Sequence, residues 1–251
     1  VGQKKGVNVE RSGLFVRCLA LAFSWAAVAA AHAAQPLQGR DINGNPVDAN
    51  AASAVFEYDP NLDITWLRDW NYAHTTSSAF ADSYGQMDWW EANSWASNLT
   101  VGRFGGWSLP SVNVYDASCS KVRVYWDDIP AQHLGYGCTG SPMGYMYYTE
   151  LGNAAGPGML NKGPFQNVQT GWYWSATEYK VNTPDSIHGW FFSTYNGDQN
   201  VYAKLNPTFA VAVRPGDVAA AVPEAQTSAL MVAGLGLVGL VLSRRKTTTR
   251  P

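Results

Sequence analysis

Between two long apolar runs, hydrophobic positions come in short pieces separated by turn residues. Val55-Phe56-Glu57-Tyr58 and Ile64-Thr65-Trp66-Leu67 flank Asp59-Pro60-Asn61, which predicts two strands joined by a turn. Asp88 precedes Trp89-Trp90-Glu91, a helix start of capping-box type with Asp as the cap. Trp89, Ala92, Ala96 and Leu99 then recur at helical spacing, with Gly102 as a stop. A second helix is expected from Ser141-Pro142 to about Leu151, ending at Gly152-Asn153. Residues 111–140 show little periodicity and read as a long loop region. The last third is β. Strands are expected over residues 173–177 and 190–195, with the Asn196-Gly197 hairpin signal leading into Val201-Tyr202. A final strand over residues 209–213 stops at Arg214-Pro215. Residues 35–54 are rich in Gly, Asn and Ala and read as a loose lead-in. Helices first and antiparallel strands last predict an α+β class.

The apolar runs at the two ends have different meanings. A basic stretch ending at Arg17, the apolar residues 18–31 and the small-x-small site Ala31-His32-Ala33 make a secretory signal peptide. Residues 229–242 are apolar without a break, and Arg244-Arg245-Lys246 follow after one serine. Fourteen residues rise about 21 Å, against about 30 Å of hydrocarbon, so this is a short membrane anchor. The basic cluster stays cytoplasmic by the positive-inside rule. Gly234, Gly236 and Gly239 match the GxGxxG spacing, but no downstream strand and acidic residue complete a dinucleotide site. The expected organisation is a signal peptide at 1–33, a lead-in at 34–54, one domain at 55–218 and a sorting or transmembrane tail at 219–251.

Val222-Pro223-Glu224, then the apolar run, then Arg244-Arg245-Lys246, resembles a PEP-CTERM sorting signal. The resemblance implies export from a Gram-negative cell, processing at the inner membrane by an exosortase, and delivery to the surface or the polysaccharide matrix. The partners it implies are the export machinery and that processing enzyme. One departure is Ala225, where the family has a second Pro.

Charge changes the picture next. The net charge of −2 hides an acidic body, at −8 between residues 34 and 218, between two basic ends. Such a body repels phosphates, so a nucleic-acid partner is not expected. Cys18 leaves with the signal peptide. Cys119 and Cys138 remain, an even number in an oxidising compartment, and a disulfide between them is expected. A catalytic or metal-binding thiol is the alternative, but CxxC spacing and a His cluster are both missing.

A second resemblance spans most of the body. Asp63-Ile64-Thr65-Trp66-Leu67-Arg68-Asp69, Gly106-Trp107-Ser108-Leu109-Pro110-Ser111, Tyr147-Tyr148-Thr149-Glu150-Leu151-Gly152, Tyr173-Trp174-Ser175-Ala176-Thr177-Glu178-Tyr179 and Ala212-Val213-Arg214-Pro215 occur in order. Together they are similar to the Lcl C-terminal-like domain, a family of unknown function in exported bacterial proteins. The resemblance implies a C-type-lectin-like fold, with two helices, a small twisted antiparallel sheet and a long disulfide-tied loop region. Ser108 departs from the Arg usual in that family.

The chemistry on offer points away from catalysis. His74, His133 and His188 are scattered, with no HExxH spacing, and no GxSxG elbow exists, so no catalytic residue, metal or cofactor is expected. The body holds 10 Trp, 13 Tyr and 7 Phe beside many Gly, Asn and Ser. Aromatic platforms with polar neighbours suit sugar rings, whose C–H faces are apolar and whose hydroxyls need partners. The long loop offers Tyr125 and Trp126 as stacking faces and Asp127 and Asp128 as hydroxyl acceptors, which makes these four the expected ligand site. The function expected is an exported, non-catalytic module that binds extracellular polysaccharide or another surface ligand. A structural matrix or adhesion component, or an enzyme on a lectin-like scaffold, are the alternatives.

Overall fold

The computed structural model describes Gly2 and residues 35–124, 130–180 and 187–219. Over these residues the chain is mostly β. Strands β1 (Gln38–Arg40), β2 (Pro46–Val47), β3 (Phe56–Asp59), β4 (Ile64–Leu67) and β10 (Val213–Pro215) form an antiparallel sheet in the order β10-β4-β3-β1-β2. Strands β5 (Lys121–Arg123) and β6 (Gln132–Leu134) form a two-stranded ladder. Strands β7 (Trp172–Glu178), β8 (His188–Ser193) and β9 (Gln199–Ala203) form a three-stranded antiparallel sheet. Helices are few: α1 (Tyr72–Thr75), α2 (Trp89–Asn98) and α3 (Pro142–Tyr145), the last continuing as a π-helical turn, Met146–Glu150.

The β3–β4 hairpin forms where the alternation places it. Asp59 Oδ1 accepts from the backbone N–H of Asn61 (2.9 Å) and Leu62 (3.2 Å), which fixes the turn. Phe56 pairs with Leu67 and Glu57 with Trp66, so successive residues point to opposite faces. Both faces are covered. Phe56 and Leu67 belong to one buried cluster with Trp95, Trp107 and Trp174, and Trp66 belongs to another with Trp70, Tyr147 and Tyr173. The expected strands 173–177 and 201–202 lie within β7 and β9, while that at 190–195 overlaps β8 and runs two residues past its end into the turn. Helix α2 carries a complete capping box: Glu91 N–H donates to Asp88 Oδ1 (2.8 Å) and Asp88 N–H to Glu91 Oε2 (3.0 Å). It buries Ala92, Trp95 and Ala96. The helical stretch 142–150 sits so close to the disulfide loop that a Cβ on Gly144 would lie 1.8 Å from the carbonyl oxygen of Cys138, so only glycine fits.

The α+β, C-type-lectin-like architecture implied by the Lcl resemblance is not the one adopted. Three antiparallel sheets carry the fold, and among the described residues α2 is the only purely α-helical run longer than four residues. The lead-in is structured, because β1 pairs with both β2 and β3. The region 111–140 holds β5 and β6 rather than loop alone. The expected strand at 209–213 is mostly a bridging segment. Phe209 makes a parallel bridge to Tyr173, and the ladder with β4 begins at Val213.

Candidate functional site

A groove forms where four separate segments are locked edge to edge by backbone hydrogen bonds. Gln166 N–H donates to the carbonyl of Arg68 (2.8 Å), and Trp70 N–H returns to Gln166 (2.9 Å). Met87 and Thr208 exchange N–H···O bonds of 2.8 and 2.9 Å. Phe209 N–H donates to Trp172 (3.0 Å), and Trp174 N–H donates to Phe209 (2.9 Å). This brings the α1–α2 connection, the lead into β7, the turn after β8 and residues 207–209 together.

Two adjoining hollows result. One, of about 280 Å³, is lined by Gln86, Thr170, Trp172, Tyr195 and Thr208 among others. The other, of about 390 Å³, is lined by Asn71, His74, Thr75, Tyr84, Asn167 and Gln169 among others. Gln169 and Thr170 are consecutive, and Tyr84 and Gln86 lie two apart, so the same two chain segments carry both hollows as a strip. Its rings are accessible: Trp172 is 39%, Tyr195 61% and Tyr84 72% exposed. Trp172 is nonetheless pinned. Its indole stacks on Phe191 (4.8 Å, planes 27° apart) and meets Tyr202 edge-on (4.6 Å). Among the described residues, the Gln86 amide, the hydroxyls of Thr170, Tyr84 and Tyr195 and the Trp172 indole N–H make no protein hydrogen bond.

Other polar groups of the strip are committed to shaping it. Asp69 Oδ2 accepts from Thr75 Oγ1 (2.7 Å) and Asn167 Nδ2 (2.9 Å), and its Oδ1 accepts from Asn71 N–H (2.8 Å). Asp82 Oδ1 accepts from the N–H of both Tyr84 and Gln86 (2.8 Å each). Gln169 Nε2 donates to the Asn167 carbonyl (2.8 Å). Asn167 itself holds a left-handed φ of 51°, as does Ser77 in a third hollow beside His74. Such conformations cost energy and persist where surrounding contacts fix them.

The strongly perturbed carboxyls lie elsewhere. Glu57 is fully buried in β3, and its carboxyl oxygens have no hydrogen-bond partner. Desolvation outweighs the nearby Arg68 and Arg40 and pushes its pKa up to about 8. Burial also raises Asp59, against the backbone N–H groups it accepts, and it raises Glu150, with Asp59 adding to the effect. Lys204 is buried against Glu178 Oε1 with its ammonium 4.3 Å from the Trp89 ring centroid.

Cys119 and Cys138 are disulfide-bonded, as expected. One cluster of possible metal ligands occurs among the described residues, Asp116 with these two cysteines. Its sulfurs are spent in the bridge, and the Asp116 carboxylate accepts from Gly140 N–H (2.7 Å) and Ser118 N–H (3.0 Å). The expected ligand site, Tyr125, Trp126, Asp127 and Asp128, lies outside the described residues, as do Val222, Pro223, Glu224, Arg244, Arg245 and Lys246. The groove residues Tyr84, Gln86, Trp172 and Tyr195 were not singled out from the sequence. The available signal was an aromatic beside turn residues, as in Tyr195-Asn196-Gly197.

Residues 221–246 match the PEP-CTERM protein-sorting motif. The match spans both halves of the signal, Val222-Pro223-Glu224 and the basic cluster. It marks an exported, surface-sorted protein that an exosortase-like enzyme processes. No curated protein and no solved structure matches the chain, so the Lcl resemblance of the body rests on its motifs alone. No helix among the described residues is long and apolar enough to cross a membrane, and the apolar run 229–242 lies outside them.

Proposed function

We propose that the folded body is a non-catalytic glycan-binding module, carried to the cell surface by its sorting tail, and that polysaccharide lies along the strip from Tyr195 and Trp172 to Tyr84. The observation that carries this reading is the pairing of an exposed but pinned indole with unengaged hydroxyl and amide groups in one groove. A sugar ring stacks its C–H face on an aromatic and exchanges hydroxyl hydrogen bonds with such groups. Pinning Trp172 beforehand lowers the ordering cost of binding. The non-catalytic part rests on the carboxylates beside the groove, since Asp69 and Asp82 spend oxygens on its own walls. Affinity electrophoresis of the detergent-solubilised full chain through gels containing a β-glucan, an α-glucan or a galactomannan tests it. Retardation by at least one polymer supports the reading, and free migration in all of them overturns it.

A further inference from the structure

We infer that the groove selects uncharged glycans and rejects uronate-bearing or sulfated ones. The inference rests on the glycan-binding reading above and narrows its ligand class. Anionic sugars are held by Arg or Lys, whose donors match a carboxylate or sulfate and offset its desolvation. Among the described residues, neither hollow of the strip has a Lys or Arg in its lining, and His74 is the only basic side chain there. What stands behind the lining is acidic. The Asp69 carboxylate lies one hydrogen bond beneath Thr75 and Asn167, and Asp82 holds the backbone of Tyr84 and Gln86. An anionic group seated on Asn167 or Gln86 meets the half-buried Asp69 or the exposed Asp82 carboxylate, with no Lys or Arg among the described lining residues to pair with, and like charges brought together repel. The net charge of the body, −8 over residues 34–218, adds a long-range repulsion of the same sign. The groups that remain available are the Gln86 amide, the Thr170, Tyr84 and Tyr195 hydroxyls and the indole face of Trp172. All are neutral and suited to hydroxyls.

The test compares the neutral polymers with polygalacturonate and dextran sulfate at equal mass and at 150 mM salt. The full chain in neutral detergent and its Tyr84→Ala variant are run side by side. Tyr84 is largely exposed, so its truncation leaves the fold intact. The inference expects retention by a neutral polymer, at least tenfold weaker affinity for both anionic ones, and loss of the neutral retention in Tyr84→Ala. Equal or tighter binding of polygalacturonate overturns the selectivity while leaving the glycan-binding reading standing. Absence of retention by every polymer overturns that reading and the selectivity with it. Neutral retention unchanged in Tyr84→Ala removes the ligand from this groove and overturns the inference.

Discussion

The Nε of Arg68 lies 3.6 Å from Oε1 of Glu57, and both side chains are buried beside the five-stranded sheet. The separation is beyond a good hydrogen bond, and Arg68 gives its Nε proton to the Pro164 carbonyl instead (2.8 Å). The attraction therefore falls short of the desolvation penalty, and the folded chain holds the Glu57 proton up to about pH 8. The unfolded chain releases it near 4.5. Below 4.5 both states are protonated and the stabilisation is full. Between 4.5 and 8 the unfolded state ionises first, so stability falls as pH rises, by at most about 1.4 kcal/mol per unit. Asp59 and Glu150, also raised, add in the same direction at the acid end. Melting followed by circular dichroism is expected to show a higher Tm at pH 5 than at pH 8, with a shallower slope in Glu57→Gln. A Tm that rises from pH 5 to 8 contradicts this account.

Lys204 is 2% exposed, contacts Glu178, and lies 4.3 Å from the Trp89 centroid and 5.4 Å from that of Trp90. Truncating Lys204 leaves Glu178 with the exposed Lys180 ammonium, 3.9 Å away, as its remaining cation. Glu178 keeps some solvent, so the expected cost of Lys204→Met is about 2 kcal/mol, below the value for a fully buried pair. The double variant Lys204→Met, Glu178→Gln is expected to recover part of that loss. Urea unfolding measures both. A single variant within about 0.5 kcal/mol of the wild type sinks the prediction.

The Cys119–Cys138 bridge closes a loop of 19 positions whose base is also tied by Asp116 to Gly140 N–H. Its removal is expected to lower stability by about 3 kcal/mol in the chain-entropy description. Peptide mapping without reductant is expected to recover the linked pair, and two alkylatable thiols in exported protein contradict it.

Much of this architecture was legible in local patterns, and the rest was not for definite reasons. The Asp88–Glu91 capping box and the β3–β4 hairpin depend on neighbours in sequence, so spacing revealed them. Strands β1, β2 and β10 have two or three residues each, too few for an alternation to register. β10 also joins the sheet through Val213 pairing with Trp66, a contact no local pattern encodes. Both expected helices are present, and it was missing these strands, with β5 and β6, that produced the α+β expectation. The groove was illegible for the same reason. Trp172 and Tyr84 are far apart in sequence and adjoin through the Met87–Thr208 and Phe209–Trp172 backbone bonds.

The sorting tail makes its own prediction. Processing by an exosortase-like enzyme is expected to remove the basic cluster, so mass spectrometry of the surface fraction finds no peptide containing Arg244, Arg245 and Lys246. An intact tail in that fraction contradicts processing.

The glycan-binding reading turns on whether the exposed rings of the groove hold the ligand, and side-by-side affinity electrophoresis of three variants answers it most directly. Trp172→Ala and Tyr84→Ala remove rings in the groove, while Tyr115→Ala removes a ring 57% exposed outside it. An aromatic anchor contributes about 2 kcal/mol, so each groove variant is expected to raise Kd for the retained neutral polysaccharide about 30-fold. Tyr115→Ala is expected to leave it unchanged. Equal retention of all three variants contradicts the account.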